Sequence, residues 1–106
     1  MNKDLPLTEG VFYILLALIK PNHGYGIIQD VEHLTSGRLV LGAGTLYGAI
    51  NTMLDKGWIK LYSEEVASRK KKEYIITNAG KDIMKLETER LEELIRNSKI
   101  ALEDRI

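Results

Sequence analysis

Residues 44–76, with the sequence GTLYGAINTMLDKGWIKLYSEEVASRKKKEYII, are the most informative part of the chain. Apolar residues recur at helical spacing over 44–56, which predicts a helix. Residues 58–62 are rich in aromatic and β-branched side chains and predict a strand, and 72–76 predict a second strand that returns beside it. Between them, 63–68 form the tip, and the run of basic residues that follows includes the start of the second strand. The stretch therefore predicts an amphipathic helix followed by a basic β-hairpin.

The predicted helix 44–56 has two faces of opposite character. Its buried stripe consists of aliphatic side chains and methionine, namely Leu46, Ala49, Ile50, Met53 and Leu54. Its outer face consists of small or medium side chains, most of them polar, namely Thr45, Tyr47, Gly48, Asn51, Thr52 and Asp55. Because small side chains allow a helix to approach its neighbour closely, the outer face is suited to close contact with another molecule.

Two more helices are predicted before this stretch. Thr8 is a good N-cap for a first helix, whose apolar run of about nine residues is ended by Pro21. A bilayer span needs about 20 such residues, so the run predicts a buried core helix in a cytoplasmic protein. After a loop at 22–24, a second helix of about eleven residues is expected to stop at Ser36 and Gly37.

A long helix is predicted at the C-terminus, capped by Thr77 and running to about residue 104. At 1.5 Å per residue it would project about 40 Å, which is more than a domain of this size can cover. Its apolar stripe therefore needs another surface, most simply the same helix of a second subunit. We expect 1–76 to form one functional part and 77–106 to form a dimerisation helix, within one compact unit.

Composition excludes several classes of function. The 106-residue chain has no cysteine, which excludes disulfides and thiolate metal sites. His23 and His33 lie ten residues apart with no zinc-ligand spacing around them, so no metal is predicted, and neither is a cofactor. There is no Gly-rich phosphate loop and no paired nucleophile and base, and the chain is therefore not expected to be an enzyme.

Charge is balanced overall and uneven locally. Fifteen basic and fifteen acidic residues give a net charge of zero, which counts against nucleic-acid binding. The segment 56–72 nevertheless contains six basic residues and only Glu64 and Glu65 as acids. A local basic patch on a neutral protein is enough for phosphate contacts.

The order of elements predicts a mainly α fold with a β-hairpin, a winged helix-turn-helix followed by one long helix. With these elements in this order, the sequence resembles the PadR family of bacterial winged-helix transcriptional regulators over about residues 8 to 95. The matching pieces are Tyr13-Ile14-Leu15-Leu16-Ala17-Leu18, His23-Gly24-Tyr25-Gly26-Ile27, Gly37-Arg38, Leu41-Gly42-Ala43-Gly44-Thr45-Leu46-Tyr47-Gly48, Gly57-Trp58-Ile59, Arg69-Lys70-Lys71, Tyr74-Ile75-Ile76-Thr77 and Gly80. The Gly-Thr-Leu-Tyr run followed by Gly-Trp-Ile is the most specific of them.

The resemblance implies a homodimer that binds a pseudo-palindromic DNA operator, commonly as a repressor of detoxification or efflux genes. The short C-terminal segment looks like the small subclass, which has a single dimerisation helix. Some multidrug-sensing members hold flat drugs between tryptophans of that helix. This chain has no aromatic residue after Tyr74, so drug binding by that device is not expected here.

Helix 44–56 is expected to lie in the DNA major groove. There Asn51 can pair with adenine and Thr45 can contact a phosphate or a thymine methyl group. Tyr47 could reach a phosphate through its hydroxyl or pack its ring beneath the hairpin, and both stay open. The predicted DNA-binding residues are Thr45, Tyr47, Gly48, Asn51, Thr52, Lys56, Arg69, Lys70, Lys71 and Lys72. The basic residues of the hairpin position the DNA through phosphates and carry no sequence information.

The remaining candidates concern the dimer and the hairpin. The predicted dimerisation residues are Phe12, Met84, Leu91, Leu94, Ile95 and Leu102. A small-molecule effector pocket at the dimer interface, lined by Met84, Leu91 and Ile95, is compatible with DNA binding. Trp58 and Tyr62 are expected to pack the hairpin on the helices, with Trp58 as a ligand platform the rival reading. Tyr13 and Tyr25 are expected at the edge of the core.

An alternative function stays open for the whole chain. Some winged helices serve only protein contacts, with a basic hairpin that maintains solubility. The neutral net charge is compatible with a protein-interaction module of that kind, without specific DNA binding.

Overall fold

The computed structural model describes residues 2–64 and 72–104. Four helices and three strands follow in the order α1 (Glu9–Ala17), β1 (Asn22–His23), α2 (Gly24–Leu34), α3 (Ala43–Asp55), β2 (Ile59–Glu64), β3 (Lys72–Ile76) and α4 (Asn78–Asp104). The strands form an antiparallel sheet with the order β1-β3-β2. This is the predicted mainly helical architecture with a hairpin and a long last helix.

The first helix begins where the sequence predicts and ends earlier. The Thr8 hydroxyl accepts a hydrogen bond from the Val11 amide at 3.2 Å, as expected of an N-cap. The helix ends at Ala17, well before Pro21, so the prediction that the proline ends it is wrong. The Leu18 carbonyl instead accepts the Ile76 amide at 2.8 Å, and this bond draws the chain away from helical geometry toward β3.

A short strand lies where a loop was predicted. Asn22 pairs with Tyr74 and His23 pairs with Glu73, which adds β1 to the edge of the hairpin. His23 also caps α2, because its Nδ1 accepts the Gly26 amide at 3.2 Å. The hairpin is therefore tied through β1 to the start of α2.

The second and third helices agree with prediction to within a residue. The predicted eleven-residue helix is α2, which ends before Gly37 with its φ of +82°. The third helix spans Ala43–Asp55, so the predicted range 44–56 is displaced by one residue. Its N-cap is Gly42, which has no side chain to announce the start of a helix in the sequence.

The hairpin differs from prediction in its first strand. Trp58 precedes β2, and its amide and carbonyl bond to the Met53 carbonyl and the Thr77 amide at 3.0 and 2.9 Å. It is buried, as predicted for a residue that packs the hairpin on the helices. Tyr62 lies at a register irregularity between Leu61 and Ser63 and is 57% exposed, so its predicted packing is wrong.

The long helix α4 has 27 residues and begins as predicted. The Thr77 hydroxyl accepts the Gly80 amide at 3.1 Å and donates to the Gly57 carbonyl at 2.6 Å. Gly80 allows this close approach, because a Cβ there would lie 2.2 Å from the Trp58 carbonyl oxygen. The first turn of α4 is thus held directly against the start of the hairpin.

One apolar core joins all four helices to the sheet. Its buried side chains are Ile14, Leu15, Leu18, Ile27, Val31, Leu41, Leu46, Ile50, Met53, Trp58, Ile59, Tyr74, Ile76, Ile83 and Met84. None of the helices within 2–64 and 72–104 is long and apolar enough to span a membrane.

Candidate nucleic-acid interface

The third helix is anchored on one side and open on the other. Leu46, Ile50 and Met53 are buried in the core, which fixes the helix to the rest of the domain. The predicted contact residues of the opposite face are all exposed, namely Thr45, Tyr47, Gly48, Asn51 and Thr52. The core thus presents this face to solvent as a fixed surface.

Three glycines give this surface an unusually low profile. A Cβ on Gly42, Gly44 or Gly48 would meet no heavy atom within 4 Å. Gly48 lies in the interior of the helix, where glycine costs about 1 kcal/mol relative to alanine, and Gly44 lies one turn before it, in the first turn of the helix. No intramolecular contact in the described part of the chain therefore explains why these two positions are glycine. Gly44 is not among the predicted DNA-binding residues, although its i, i+4 spacing to Gly48 is visible in the sequence.

The start of α3 is suited to an anion. Gly42 provides no side-chain hydrogen bond to the first amides, and the first turn contains no acidic residue. The amides at a helix N-terminus and the helix dipole both favour a negative group such as a phosphate. The open N-terminus and the open glycine face belong to the same helix.

The polar side chains of this face are held to different degrees. Thr52 donates through its hydroxyl to the Gly48 carbonyl at 3.2 Å. The Asn51 side chain forms no hydrogen bond with the described residues, which leaves its amide group available. The Tyr47 hydroxyl lies against Gly24 at the start of α2, where a Cβ would come within 2.2 Å of it. Tyr47 is 48% exposed, and this contact links α3 to α2.

The predicted basic residues fall into three groups. Lys56 is engaged within the chain, because its ammonium group lies 2.8 Å from the Asp4 carboxylate and 5.4 Å from the centre of the Trp58 ring. Lys72 is exposed at the start of β3, opposite Glu64 of β2. Arg69, Lys70 and Lys71 lie outside the described residues, and their DNA contacts stay predictions.

The predicted dimerisation residues also divide. Met84 is 8% exposed and belongs to the core of its own chain, and Phe12 and Leu91 are half-buried. Leu94, Ile95 and Leu102 are 50%, 53% and 82% exposed. A cavity of about 300 Å³ between α1 and α4 is lined in part by Phe12 and Leu91. Of the predicted effector-pocket residues it includes Leu91 alone.

The N-terminal segment connects both regions. Its Asp4 carboxylate is paired with Lys56 at the end of α3, and its Leu7 amide donates to Glu87 of α4 at 3.0 Å. Glu87 is only 2% exposed and accepts two hydrogen bonds from Arg90, at 2.6 and 2.9 Å. The Arg90 guanidinium, assisted by the Leu7 amide, holds the pKa of the Glu87 carboxyl below its usual range, although burial acts to raise it.

The remaining residues that the sequence singled out are two tyrosines and the two histidines. Tyr13 is half-buried and packs edge-on against Phe12, but Tyr25 is 66% exposed, so its placement at the core edge is wrong. His23 serves as a helix cap, and His33 is exposed in the last turn of α2. In the ranges 2–64 and 72–104 no group of three or more His, Cys, Asp or Glu side chains could hold a metal ion.

A helix fixed by the core, an adjoining second helix and a three-stranded hairpin sheet define a winged helix-turn-helix. The profile of the Transcriptional regulator PadR-like family matches residues 13–86, which is more than half of the chain. The chain therefore belongs to the PadR-like family of transcriptional regulators. No curated protein matches it.

Solved structures share this fold. A transcriptional regulator from Clostridium thermocellum superposes with a TM-score of 0.73 at 23% identity, over 86% of this chain and 89% of the other. A PadR family transcription regulator from Clostridium difficile gives 0.62 at 27% identity, over 85% and 97%. Bacillus subtilis PadR, in complex with operator DNA, gives 0.64 at 22% identity, over 74% of this chain and 46% of that protein.

Proposed function

We propose that the chain is a sequence-specific DNA-binding repressor that acts as a homodimer on a pseudo-palindromic operator. In this proposal α3 enters the major groove, and the wing, defined as β2, β3 and residues 65–71 between them, contacts the flanking phosphates. Residues 1–76 form the DNA-binding part and 77–106 the dimerisation helix. Family membership and the operator complex of Bacillus subtilis PadR support the choice of DNA as the partner.

The observation that carries the proposal is the pair of glycines on the open face of α3. Gly48 alone costs the interior of the helix about 1 kcal/mol relative to alanine, and no contact in the described part of the chain offsets this cost or explains the glycine at position 44. A surface that must approach base edges closely would offset it, because each missing methyl group brings the helix axis nearer to the groove floor. Asn51, one turn from Tyr47 and with a free amide, then reads a base.

The remaining contacts position the protein. The open amides at the start of α3 suit a phosphate. The positive surface extends along the wing through Lys72 and through Arg69, Lys70 and Lys71, which the sequence predicts to contact DNA phosphates. If a dimer neutralises about six to eight phosphates, the logarithm of affinity should fall against the logarithm of salt concentration with a slope of about −5 to −7. A slope near zero would contradict phosphate contact.

The geometry of the dimer sets the spacing of the half-sites. Two recognition helices related by a two-fold axis fit half-sites about one helical turn, or 34–36 Å, apart. An effector that prefers a different spacing would release the DNA by no more than its differential affinity for the two states.

The proposal is tested by reversing charge on the wing. Fluorescence anisotropy on a duplex from upstream of the protein's own gene compares the parent with the double variant Lys70→Glu and Lys71→Glu. The matched control is Lys81→Glu with Lys85→Glu, which makes the same change in net charge on exposed positions of α4. We expect the wing variant to lose affinity at least tenfold with its dimer intact, and the control to bind within a few-fold of the parent.

Equal affinity of the wing variant and the parent would favour the rival function, a winged helix used for protein contacts alone. Equal losses in both double variants would indicate an effect of net charge rather than a contact made by the wing.

A further inference from the structure

His23 belongs to two elements of the fold at once. Its backbone pairs with Glu73 of β3, which makes it part of the sheet that forms the wing. Its imidazole Nδ1 accepts the Gly26 amide at 3.2 Å and so caps α2. One residue therefore connects the wing directly to the helix-turn-helix.

The first turn of α2 depends on this cap. Its residues are Gly24, Tyr25 and Gly26, and it contains no acidic side chain to interact with the positive end of the helix dipole. The two glycines leave the backbone free to adopt other conformations. They are required by close contacts, because a Cβ on Gly26 would lie 2.2 Å from the Asn22 side-chain oxygen. The histidine cap thus holds a turn that is otherwise weakly determined.

The same turn supports the DNA-binding helix. A Cβ on Gly24 would lie 2.2 Å from the Tyr47 hydroxyl oxygen, so Tyr47 of α3 rests on the start of α2. Tyr47 precedes Gly48 on the open face of α3. A displacement of the first turn of α2 would therefore remove the support of this face.

The cap can form only while the imidazole is neutral. A ring nitrogen accepts a hydrogen bond only if it has no proton, and both nitrogens of an imidazolium are donors. A positive charge at a helix N-terminus is also opposed by the helix dipole. Histidine is the side chain that ordinarily gains a proton between about pH 8 and pH 5. Protonation of His23 would therefore break the bond to Gly26.

We propose that His23 is a positioning residue for DNA binding and makes this binding sensitive to pH. The neutral imidazole holds the first turn of α2 under α3, and the imidazolium releases it. This inference rests on the proposed DNA-binding function and adds to it a form of regulation.

The surroundings of His23 give the imidazolium a second partner. The elements that adjoin it contain the titratable residues Lys20, Tyr25, Asp30, Tyr47, Lys72 and Glu73. Of these, Glu73 is directly opposite His23 in the pairing of β1 with β3. Side chains in such a pair have Cβ atoms about 4.5–5.5 Å apart. The Glu73 carboxylate, which accepts the Ser63 hydroxyl at 2.7 Å, is therefore within reach of the protonated ring.

Release of the cap leaves β1 in place. The Asn22 side-chain oxygen accepts the His23 amide at 2.9 Å, and its nitrogen donates to the Asp30 carboxylate at 2.8 Å. Neither bond involves the imidazole. Protonation therefore loosens the start of α2 and leaves the edge of the sheet bonded.

The sign of the pH effect separates this proposal from simple electrostatics. Acid adds positive charge to the protein, and positive charge by itself strengthens binding to DNA phosphates. An imidazolium that bound a phosphate would have the same effect. The proposal predicts the opposite, which is weaker binding as the pH falls.

The first test measures the cap without DNA. Urea unfolding of the parent is compared with that of His23→Asn between pH 8 and pH 5, because asparagine is a preferred N-cap whose oxygen accepts without titrating. The neutral-form cap is present at high pH and lost on protonation, so the parent should lose stability relative to His23→Asn as the pH falls. A difference that does not change with pH would overturn the proposal.

Two further variants make this test specific. His33→Asn changes the only other histidine, which is exposed in the last turn of α2, where an imidazolium is favoured by the helix dipole. This variant should lose stability in acid at least as steeply as the parent. Glu73→Gln removes the carboxylate opposite His23 and should move the loss to lower pH. An unchanged profile for Glu73→Gln would overturn the role of Glu73.

The second test measures DNA binding by fluorescence anisotropy at constant ionic strength, at pH 8 and pH 5.5. Because a dimer loses two caps, we expect the affinity of the parent to fall at least about fivefold in acid. His33→Asn should show the same fall, and His23→Asn should retain its own pH 8 affinity at pH 5.5. A parent that binds more tightly in acid, or an equal fall in His23→Asn, would overturn the proposal.

These outcomes are separable from failure of the proposed function. A parent that binds no DNA at either pH would overturn the proposed function, and the urea comparison would still show whether His23 is a titrating cap. A titrating cap together with DNA affinity that does not change with pH would overturn the link from α2 to α3 alone.

Discussion

Replacing Gly48 by alanine should make the protein more stable and a weaker DNA binder. The new methyl group would meet no heavy atom of the described chain within 4 Å, so it introduces no clash in the free protein. Alanine is favoured over glycine inside a helix by about 0.8–1 kcal/mol. With an unfolding entropy of about 2.1 cal/mol/K per residue, a 106-residue chain should gain about 4 °C in melting temperature.

The effect on DNA binding has the opposite sign. If α3 lies in the groove with Gly48 facing the bases, each methyl group pushes its helix outward, and a dimer has two of them. We expect affinity for the operator to fall at least tenfold, which corresponds to about 1.4 kcal/mol. Calorimetry measures the stability, and fluorescence anisotropy at fixed salt measures the affinity.

The matched control is Asn97→Ala, an exposed helical position on the polar side of α4. It should raise the melting temperature through the same gain in helix propensity and leave DNA affinity unchanged. If Gly48→Ala is stabilised and binds as tightly as the parent, Gly48 does not serve close approach of α3 to DNA. If Gly48→Ala is destabilised, the added methyl group must be in contact with the free protein, which would contradict an open face at Gly48.

Two further predictions concern the N-terminal segment. Glu87→Gln leaves the Arg90 guanidinium without its anion, so urea titration at pH 7 should show a loss of about 2–3 kcal/mol. Because the pKa of Glu87 is lowered in the folded state, the ionised carboxylate stabilises the fold above the unfolded pKa of about 4.3, and this stabilisation is lost as pH falls through the folded-state pKa. The difference in unfolding free energy between parent and variant should therefore narrow in acid. A difference that stays constant with pH would contradict this. Asp4→Asn frees Lys56 from its exposed ion pair, so affinity for the operator should rise up to about fivefold. The free energy of unfolding should change by less than about 1 kcal/mol. Weaker DNA binding would instead show that the ion pair holds α3 in place.

Local signals were enough to predict most of the fold. The hydroxyl caps at Thr8 and Thr77 depend on neighbours within a few residues, and both are found as predicted. Gly37 has the positive φ expected of it, but the residue directly after the C-cap Thr35 is Ser36, which also has a positive φ of 52°. The apolar period of α3 likewise identified Leu46 and Ile50 as core residues. These features are visible in sequence because the interactions that produce them are local.

Features that depend on distant partners were not visible. β1 is two residues long and exists because Asn22 lies beside Tyr74, and no alternation of residues announces so short a strand. The end of α1 is set by a bond from Ile76, far along the chain. Tyr62 was expected to be packed because it is aromatic, but the register irregularity at this point places it in solvent.

The same distinction holds for the candidate site. The outer face of α3 could be listed from its period, and all its members are exposed. Lys56 was assigned to DNA by its charge alone, whereas its ion pair with Asp4 joins residues 52 apart. Burial of Met84 within its own chain, and exposure of Leu94 and Ile95, follow from where the body of the domain ends along α4. The periodicity of the sequence places Met84, Leu94 and Ile95 on one stripe, but it cannot show at which residue α4 extends beyond the body of the domain.

A genomic-fragment selection with purified protein, at low and moderate salt, would show whether a dimer reads DNA sequence through α3. We expect an enriched inverted repeat with half-sites about one helical turn apart, near the protein's own gene. A parallel selection with Asn51→Ala should lose the preference for one base in each half-site and retain the rest. Fragments bound without any common motif, or a motif identical for parent and variant, would show that α3 does not read the sequence in this way.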